Sequence, residues 1–354
     1  MNEYIVNKQM KIVKEDDAVV LPVKDMEGGI VSNDGNFVSS SYHDGEFLKI
    51  GGKYDGFKEP EYFEQEVYFG GYFIQQWGHF LLDSLSRLWA LNKYPNIKII
   101  ILKLHSNYEI KGNYYRTYEL LGITKERIIE VDHPMKFKRI YIPSSCCFSN
   151  RTYTYDYVKI INTIINNARN IHAYDNKKIY LTRTCLKSAK LKEIGEKDIE
   201  FFFRKNNYSI ISPEKIDLDS IISIFQRADV VVCLNGSIAL NVLFGRNNMN
   251  LLVLNKTSLK HDNLYSVLRI HEINPQYLNV YNEPIKGIPS CLGKGPFWVD
   301  VNSNDIKEYA KENKMIYFNN SYLHIFCNRL IYYIYCLLRI YKDCFDKIKL
   351  SIKK

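Results

Sequence analysis

A chain of 354 residues with 46% hydrophobic and 25% charged residues has the make-up of an ordinary globular protein, with room for roughly two domains that each bury a core. Its net charge of +9 favours anionic partners such as nucleotide sugars, phospholipid headgroups or nucleic acid, without choosing among them. The eight cysteines form no CxxC pair and MNEYIVNKQMKIVKEDD contains no apolar signal core. A disulfide framework and a cysteine-based zinc site are therefore not expected, and a reducing cytosol is.

Residues 1–70 hold short strand-like pieces broken by Gly, Asp and Asn, in an arrangement the sequence leaves open. A helix is expected over 76–93, then a buried strand at KIIIL (98–102), a helix at YYRTYELLGI, and extended segments at RIIEV (127–131) and RIYIP (139–143). A long helix follows over 154–171. A second alternation starts at KIYLT (178–182), with strands at YSIIS (208–212), DVVVCL (229–234) and NLLVL (250–254). Helices are expected between them near 196–206, 217–227 and 238–245. This order predicts an α/β chain with two Rossmann-like domains facing a cleft, over 1–172 and 173–315.

Residues 316–354 read differently. Ile331, Ile334, Leu338, Tyr341, Phe345 and Ile348 recur at helical spacing, with Arg329, Arg339, Lys342, Lys347 and Lys349 on other faces. No run of eighteen apolar residues is present, so no span is expected. Two readings of this basic amphipathic helix stand: it lies on an anionic membrane, or it docks on its own protein or a second copy.

Three stretches could carry chemistry. In WGHFLLDSLSRLWAL, His79, Asp83 and Arg87 fall at i, i+4 and i+8, one polar stripe on an otherwise apolar helix. Asp83 or His79 could take a proton from an acceptor hydroxyl, although spacing alone favours a purely structural polar network. KIYLTR places Arg183 at the end of a parallel strand, where open sheets bind ligands, and its planar fork suits a diphosphate. VVVCLNGSIALNVLF delivers Asn235, Gly236 and Ser237 from a strand to a helix start, which is either a phosphate cradle or a plain turn. Asp217-Leu-Asp219 opens a helix and reads as its N-cap rather than a metal site. HExxH, GxSxG, GxGxxG and Walker motifs are missing, and the scattered basic residues argue against nucleic acid.

Taken in order, WGHFLLDSLSRL, KIYLTR with Glu196 downstream, SPEKIDLDSIISIFQRADVVV and NGSIALNVLF resemble family 61 glycosyltransferases, including bacterial capsular polysaccharide biosynthesis members, over residues 74–256. The resemblance implies a GT-B architecture and inverting transfer from a nucleotide sugar, a UDP-sugar first, without an essential metal or cofactor. It places the acceptor-side base at His79 or Asp83; Asp83 is preferred because a carboxylate oriented by His79 and by Arg87, beside them in the cleft, stays ionised at neutral pH. It places the donor at Arg183, Lys192, Glu196, Asn235, Gly236, Ser237 and Asn241. The chain departs from the family where Asn235 replaces a common His, where Gly195-Glu196 replaces Asn-Glu, and where Lys192 replaces the usual Arg. The implied acceptor is a surface polysaccharide or lipid-linked glycan, and the implied location is cytoplasmic, peripheral to the inner face of the plasma membrane. A pyruvyltransferase-like enzyme and an inactive glycan- or nucleotide-binding subunit are the alternatives.

Overall fold

The computed structural model describes residues 4–149, 151–171, 177–186 and 193–352. The chain divides into two compact units, Met1–Arg169 and Asn170–Lys354.

The first unit is built on a six-stranded mixed sheet. Its strands are β1 (Ile12–Lys24), β2 (Glu27–Val31), β3 (Glu61–Phe73), β4 (Lys98–Lys103), β5 (Ile128–Glu130) and β6 (Met135–Pro143), in the order β2-β1-β6-β3-β4-β5. β6, β3, β4 and β5 run parallel, whereas β1 is antiparallel to both β2 and β6. Ahead of β3, β1 and β2 thus form a hairpin, and a short strand His43–Asp44 pairs antiparallel with Lys49–Ile50. Alternate residues of these strands (Val67, Phe69, Ile100, Leu102, Ile140, Ile142) pack into one core. Helices α1 (Asn113–Leu120) and α2 (Tyr155–Asn167) complete the unit.

The helix expected over 76–93 is not continuous. Trp77–His79 forms one α turn, Phe80–Ser84 widens into a π turn, and Leu88–Lys93 closes as a 3-10 helix. The break falls at Arg87, with φ −109° and ψ 0°. Its side chain reaches away to the carbonyls of Ser40 at 2.8 Å, Tyr42 at 2.7 Å and Pro143. Three carbonyl acceptors therefore bend a segment whose apolar spacing alone reads as helix.

The second unit carries a five-stranded, fully parallel sheet of β7 (Lys178–Leu181), β9 (Ser209–Ile211), β10 (Val230–Leu234), β11 (Asn250–Asn255) and β12 (Gln276–Asn279), ordered β9-β7-β10-β11-β12. Between β7 and β9 in the chain lie the short strand β8 (Glu193–Ile194) and helix α3 (Glu196–Lys205). β8 joins β13 (Tyr281–Asn282) and β14 (Phe297–Val299) in a small second sheet. Helix α4 (Leu218–Arg227) starts as the sequence predicts, with the Asp217 carboxylate accepting the Ser220 amide at 2.8 Å. The helix expected near 238–245 is a 3-10 turn, Ala239–Phe244, and α5 (Asp262–Leu268), α6 (Asn304–Glu312) and α7 (Tyr322–Ile352) follow. Tyr180, Phe202, Val232, Leu252 and Leu278 fill the core between the parallel sheet and its helices.

Candidate functional site

In the first unit the polar stripe resolves into a histidine–carboxylate–histidine group. Asp83 is buried in the π turn, and its Oδ2 accepts from His79 Nδ1 at 2.8 Å. From outside the segment, His43 brings Nε2 to 3.0 Å from Asp83 Oδ1. Burial opposes ionisation of Asp83, but the two imidazoles outweigh it and hold the carboxyl below its usual range. The His43 strand meets its partner Lys49–Ile50 through a tight turn at Gly45. A Cβ there would lie 2.7 Å from His43 Nε2 and 2.9 Å from Asp83 Oδ1, so the approach of these groups depends on glycine. The cavity beside them, about 220 Å³, is lined by His43, Asp83, Ser86, Arg87 and Ser144.

The Asp83 side chain is 1% exposed and faces two imidazoles, whereas His79 is 25% exposed. Arg87 does not extend a stripe with them: it bonds backbone carbonyls and lies over the Phe69 ring, bracing the segment against β3 and β6.

In the second unit Arg183 follows β7, and its Nε donates to Glu193 Oε2 at 2.9 Å. Lys256, just beyond β11, donates to the other oxygen of Glu193 at 2.5 Å and sits over the Phe297 ring. Glu193 is thus clamped between two cations, which outweigh its burial and hold its carboxyl below the usual range. Three residues on, Glu196 is buried and accepts the Arg183 amide at 2.8 Å. Burial, with the neighbouring Glu193 charge, pushes Glu196 up to about 8, so at neutral pH it is a neutral acid. Arg183 and Lys256 thus face the one carboxylate they both bond, Glu193, while burial pushes the Lys256 ammonium down. Gly195 makes this spacing possible: it has φ +91°, and a Cβ would overlap the Val299 carbonyl oxygen.

The glycine turn lies over this cluster. Gly236 has φ +148°, and a Cβ on it would stand 3.5 Å from Lys256 Nζ. Ser237 is half-buried at the start of the turn, while Asn241 is buried and bonds the Ile238 carbonyl at 2.8 Å, bracing the turn from within. Lys192 lies outside the described residues.

Beside the turn opens a cavity of about 430 Å³. Its floor is a ladder of side chains at the carboxyl ends of three neighbouring strands. Asn235 Nδ2 donates to Asn255 Oδ1 at 3.0 Å, and Asn255 Nδ2 donates to Asn279 Oδ1 at 3.0 Å. His261 Nδ1 lies 2.7 Å from Asn235 Oδ1 and so donates to it. Burial and the Lys256 charge push His261 down to about 4, which keeps the ring neutral. Tyr265 and Tyr277, both exposed, form part of the wall.

Sequence reasoning missed His43, Glu193, Lys256, Asn255, Asn279 and His261. For the asparagines a signal exists: β10, β11 and β12 run into or end on the same dipeptide, in Cys-Leu-Asn, Val-Leu-Asn and Tyr-Leu-Asn. The paired strands hold Leu234 opposite Leu254 and Asn255 opposite Asn279.

A parallel sheet with cations and a glycine turn at its carboxyl edge, in a chain that also holds an imidazole–carboxylate pair, suits group transfer from an anionic donor. Residues 77–252 match the family model described as Glycosyltransferase 61, and the protein is a glycosyltransferase. The matched segment contains His79, Asp83, Arg183, Glu193, Glu196 and Gly236 and stops just short of Lys256 and His261. No curated protein matches the chain.

Proposed function

We propose that the enzyme is an inverting transferase of GT-B type that moves a sugar from a nucleoside diphosphate, UDP first, to a hydroxyl of a surface or lipid-linked glycan. The observation that carries this reading is the Arg183–Glu193–Lys256 cluster under Gly236. Basic side chains at a glycine turn are what a departing diphosphate requires. Arg183 is the member that touches the diphosphate. Among the described residues its terminal guanidinium nitrogens make no hydrogen bond, because Glu193 engages Nε. Lys256 supplies charge from beneath, and Ser237 with the nearby amides adds donors. These groups do the electrostatic work without calling on an essential metal. The neighbouring cavity receives the nucleoside, its base against Tyr265 and Tyr277 and its polar edge on the asparagine ladder.

His79 is the acceptor-side base in this reading. Asp83 holds Nδ1–H, which leaves Nε2 basic and fixes the ring. The acceptor hydroxyl gives its proton to Nε2 as its oxygen bonds the anomeric carbon. The bond from that carbon to the phosphate oxygen breaks, and the electron pair leaves on the nucleoside diphosphate.

Titration calorimetry with UDP tests the donor site. Arg183→Ala is expected to weaken binding by about a hundredfold, the scale of one charge-assisted bidentate contact. UDP binding by the folded variant at the wild-type level removes the diphosphate site from Arg183.

A further inference from the structure

Among its described side chains, helix α7 is fastened along one side. Tyr332 and Cys336 are fully buried against Trp298 and Ile194, with Ile325 in the same cluster. Near its start, His324 Nε2 and Asn328 Nδ2 lie 2.9 and 3.3 Å from Asp198 on α3. At 100° per residue, the side opposite Tyr332 is formed by Leu323, Phe326, Leu330, Leu337, Leu338 and Tyr341. Each is more than half exposed, Leu323 at 72% and Leu337 at 67%. Among the described side chains of the helix, no charged residue interrupts this strip. Arg329 and Lys342 fall on its two borders by the same spacing.

The strip runs for roughly 30 Å at 1.5 Å per residue. It does not cross a bilayer: among the described residues no helix is long and apolar enough. The chemistry of its borders decides what covers it. From Tyr322 onward the sequence holds seven basic residues against two acidic ones, a surplus of five, within a chain of net charge +9. Asp343, one of the two acids, is already ion-paired to Arg339 at 3.0 Å. A second copy laid on this face would set basic borders against basic borders. An anionic lipid surface meets both features at once, taking the apolar side chains between its acyl chains and the basic ones at its phosphates.

We propose that the exposed strip of α7 is a membrane-docking surface that lies flat on anionic lipid, with Leu330 and Leu337 at its centre and Arg329 and Lys342 at the headgroups. The full chain should co-sediment with phosphatidylcholine vesicles containing phosphatidylglycerol, and much less with phosphatidylcholine alone. Leu330→Asp combined with Leu337→Asp should lower that partition at least about tenfold without changing the thermal midpoint, since both sites are exposed. Should that variant fail to fold, Arg329→Glu with Lys342→Glu decides instead, with a similar loss expected on anionic vesicles only. Absence of wild-type binding, or equal binding by the folded variants, overturns the proposal. So does a dimer in sedimentation velocity that the leucine variants split, which would make the strip a self-interface.

Discussion

In the first unit one buried carboxylate, Asp83, stands between two imidazoles; in the second, Glu193 stands between a guanidinium and an ammonium. Both carboxyls are held ionised by their partners against the cost of burial, yet the partners differ in kind. Imidazoles gain and lose protons near neutral pH, and the His79 ring is partly open to solvent. A guanidinium stays charged, and Glu193 opposes the lowering that burial imposes on the Lys256 ammonium. The same buried anion thus prepares a proton carrier in one place and a fixed field in the other. In the proposed reading, the first cluster supplies the base and the second the charge for the leaving group.

The sharpest way to break the contrast is His79→Ala. It should lower kcat by about a thousandfold, within the usual range for a general base, while leaving the UDP dissociation constant unchanged. Asp83→Asn should cost less, about a hundredfold, because the imidazole remains but loses the partner that fixes its Nδ1 proton. Initial rates with saturating donor check both. Retention of wild-type kcat by a folded His79→Ala would move the base elsewhere.

What the sequence made legible and what it did not follow a physical line. The βα alternation of the second unit was readable because each strand is a buried apolar run closed by polar residues, and each helix keeps its own period. His79 and Asp83 were readable because one turn of helix joins them. Arg87 was misread because spacing assumes a continuous helix, and three carbonyls distant in sequence end it. His43 reaches Asp83 across 40 positions, and Lys256 reaches Glu193 across 63. Pairings of that range leave no periodic trace. Glu196 was singled out, but its neutrality depends on enclosure and on Glu193, which only the fold reveals.

Glu196 offers a gentler probe of the fixed field. Below about 8 it is protonated and adds no charge to the cluster; above, its carboxylate adds a negative one. UDP affinity should therefore fall as pH rises through 8, by about tenfold between pH 7 and 9, and Glu196→Gln should remove most of the fall. Stability carries the same sign. The folded state keeps a proton that an ordinary carboxyl, near 4.5, has already released. Thermal stability should decline as pH rises from about 4.5 to 8, and Glu196→Gln should flatten that decline. A pH-independent UDP affinity in the wild type would show that Glu196 does not act on the donor site. On the other side of the comparison, Asp83 has the opposite sign. Its contribution is present above the ordinary carboxylate range and is lost as pH falls through its lowered value.

The smallest expected effect falls on Asn235, where the chain departs most visibly from the family it resembles. The resemblance expects an imidazole at 235; here His261 donates to the Asn235 side-chain oxygen, and Asn235 joins it to the asparagine ladder. Asn235→Ala removes one acceptor from His261 and one donor from Asn255, both beside the proposed nucleoside pocket. If the ladder reads the nucleoside, UDP affinity should drop about threefold, the worth of one neutral hydrogen bond, with affinity for inorganic diphosphate unchanged. If the ladder only ties the strand ends together, both affinities stay and the thermal midpoint alone falls. UDP and diphosphate titrations run beside thermal unfolding separate the two, because the proposed site puts the diphosphate on Arg183 and the glycine turn and only the nucleoside on the asparagines.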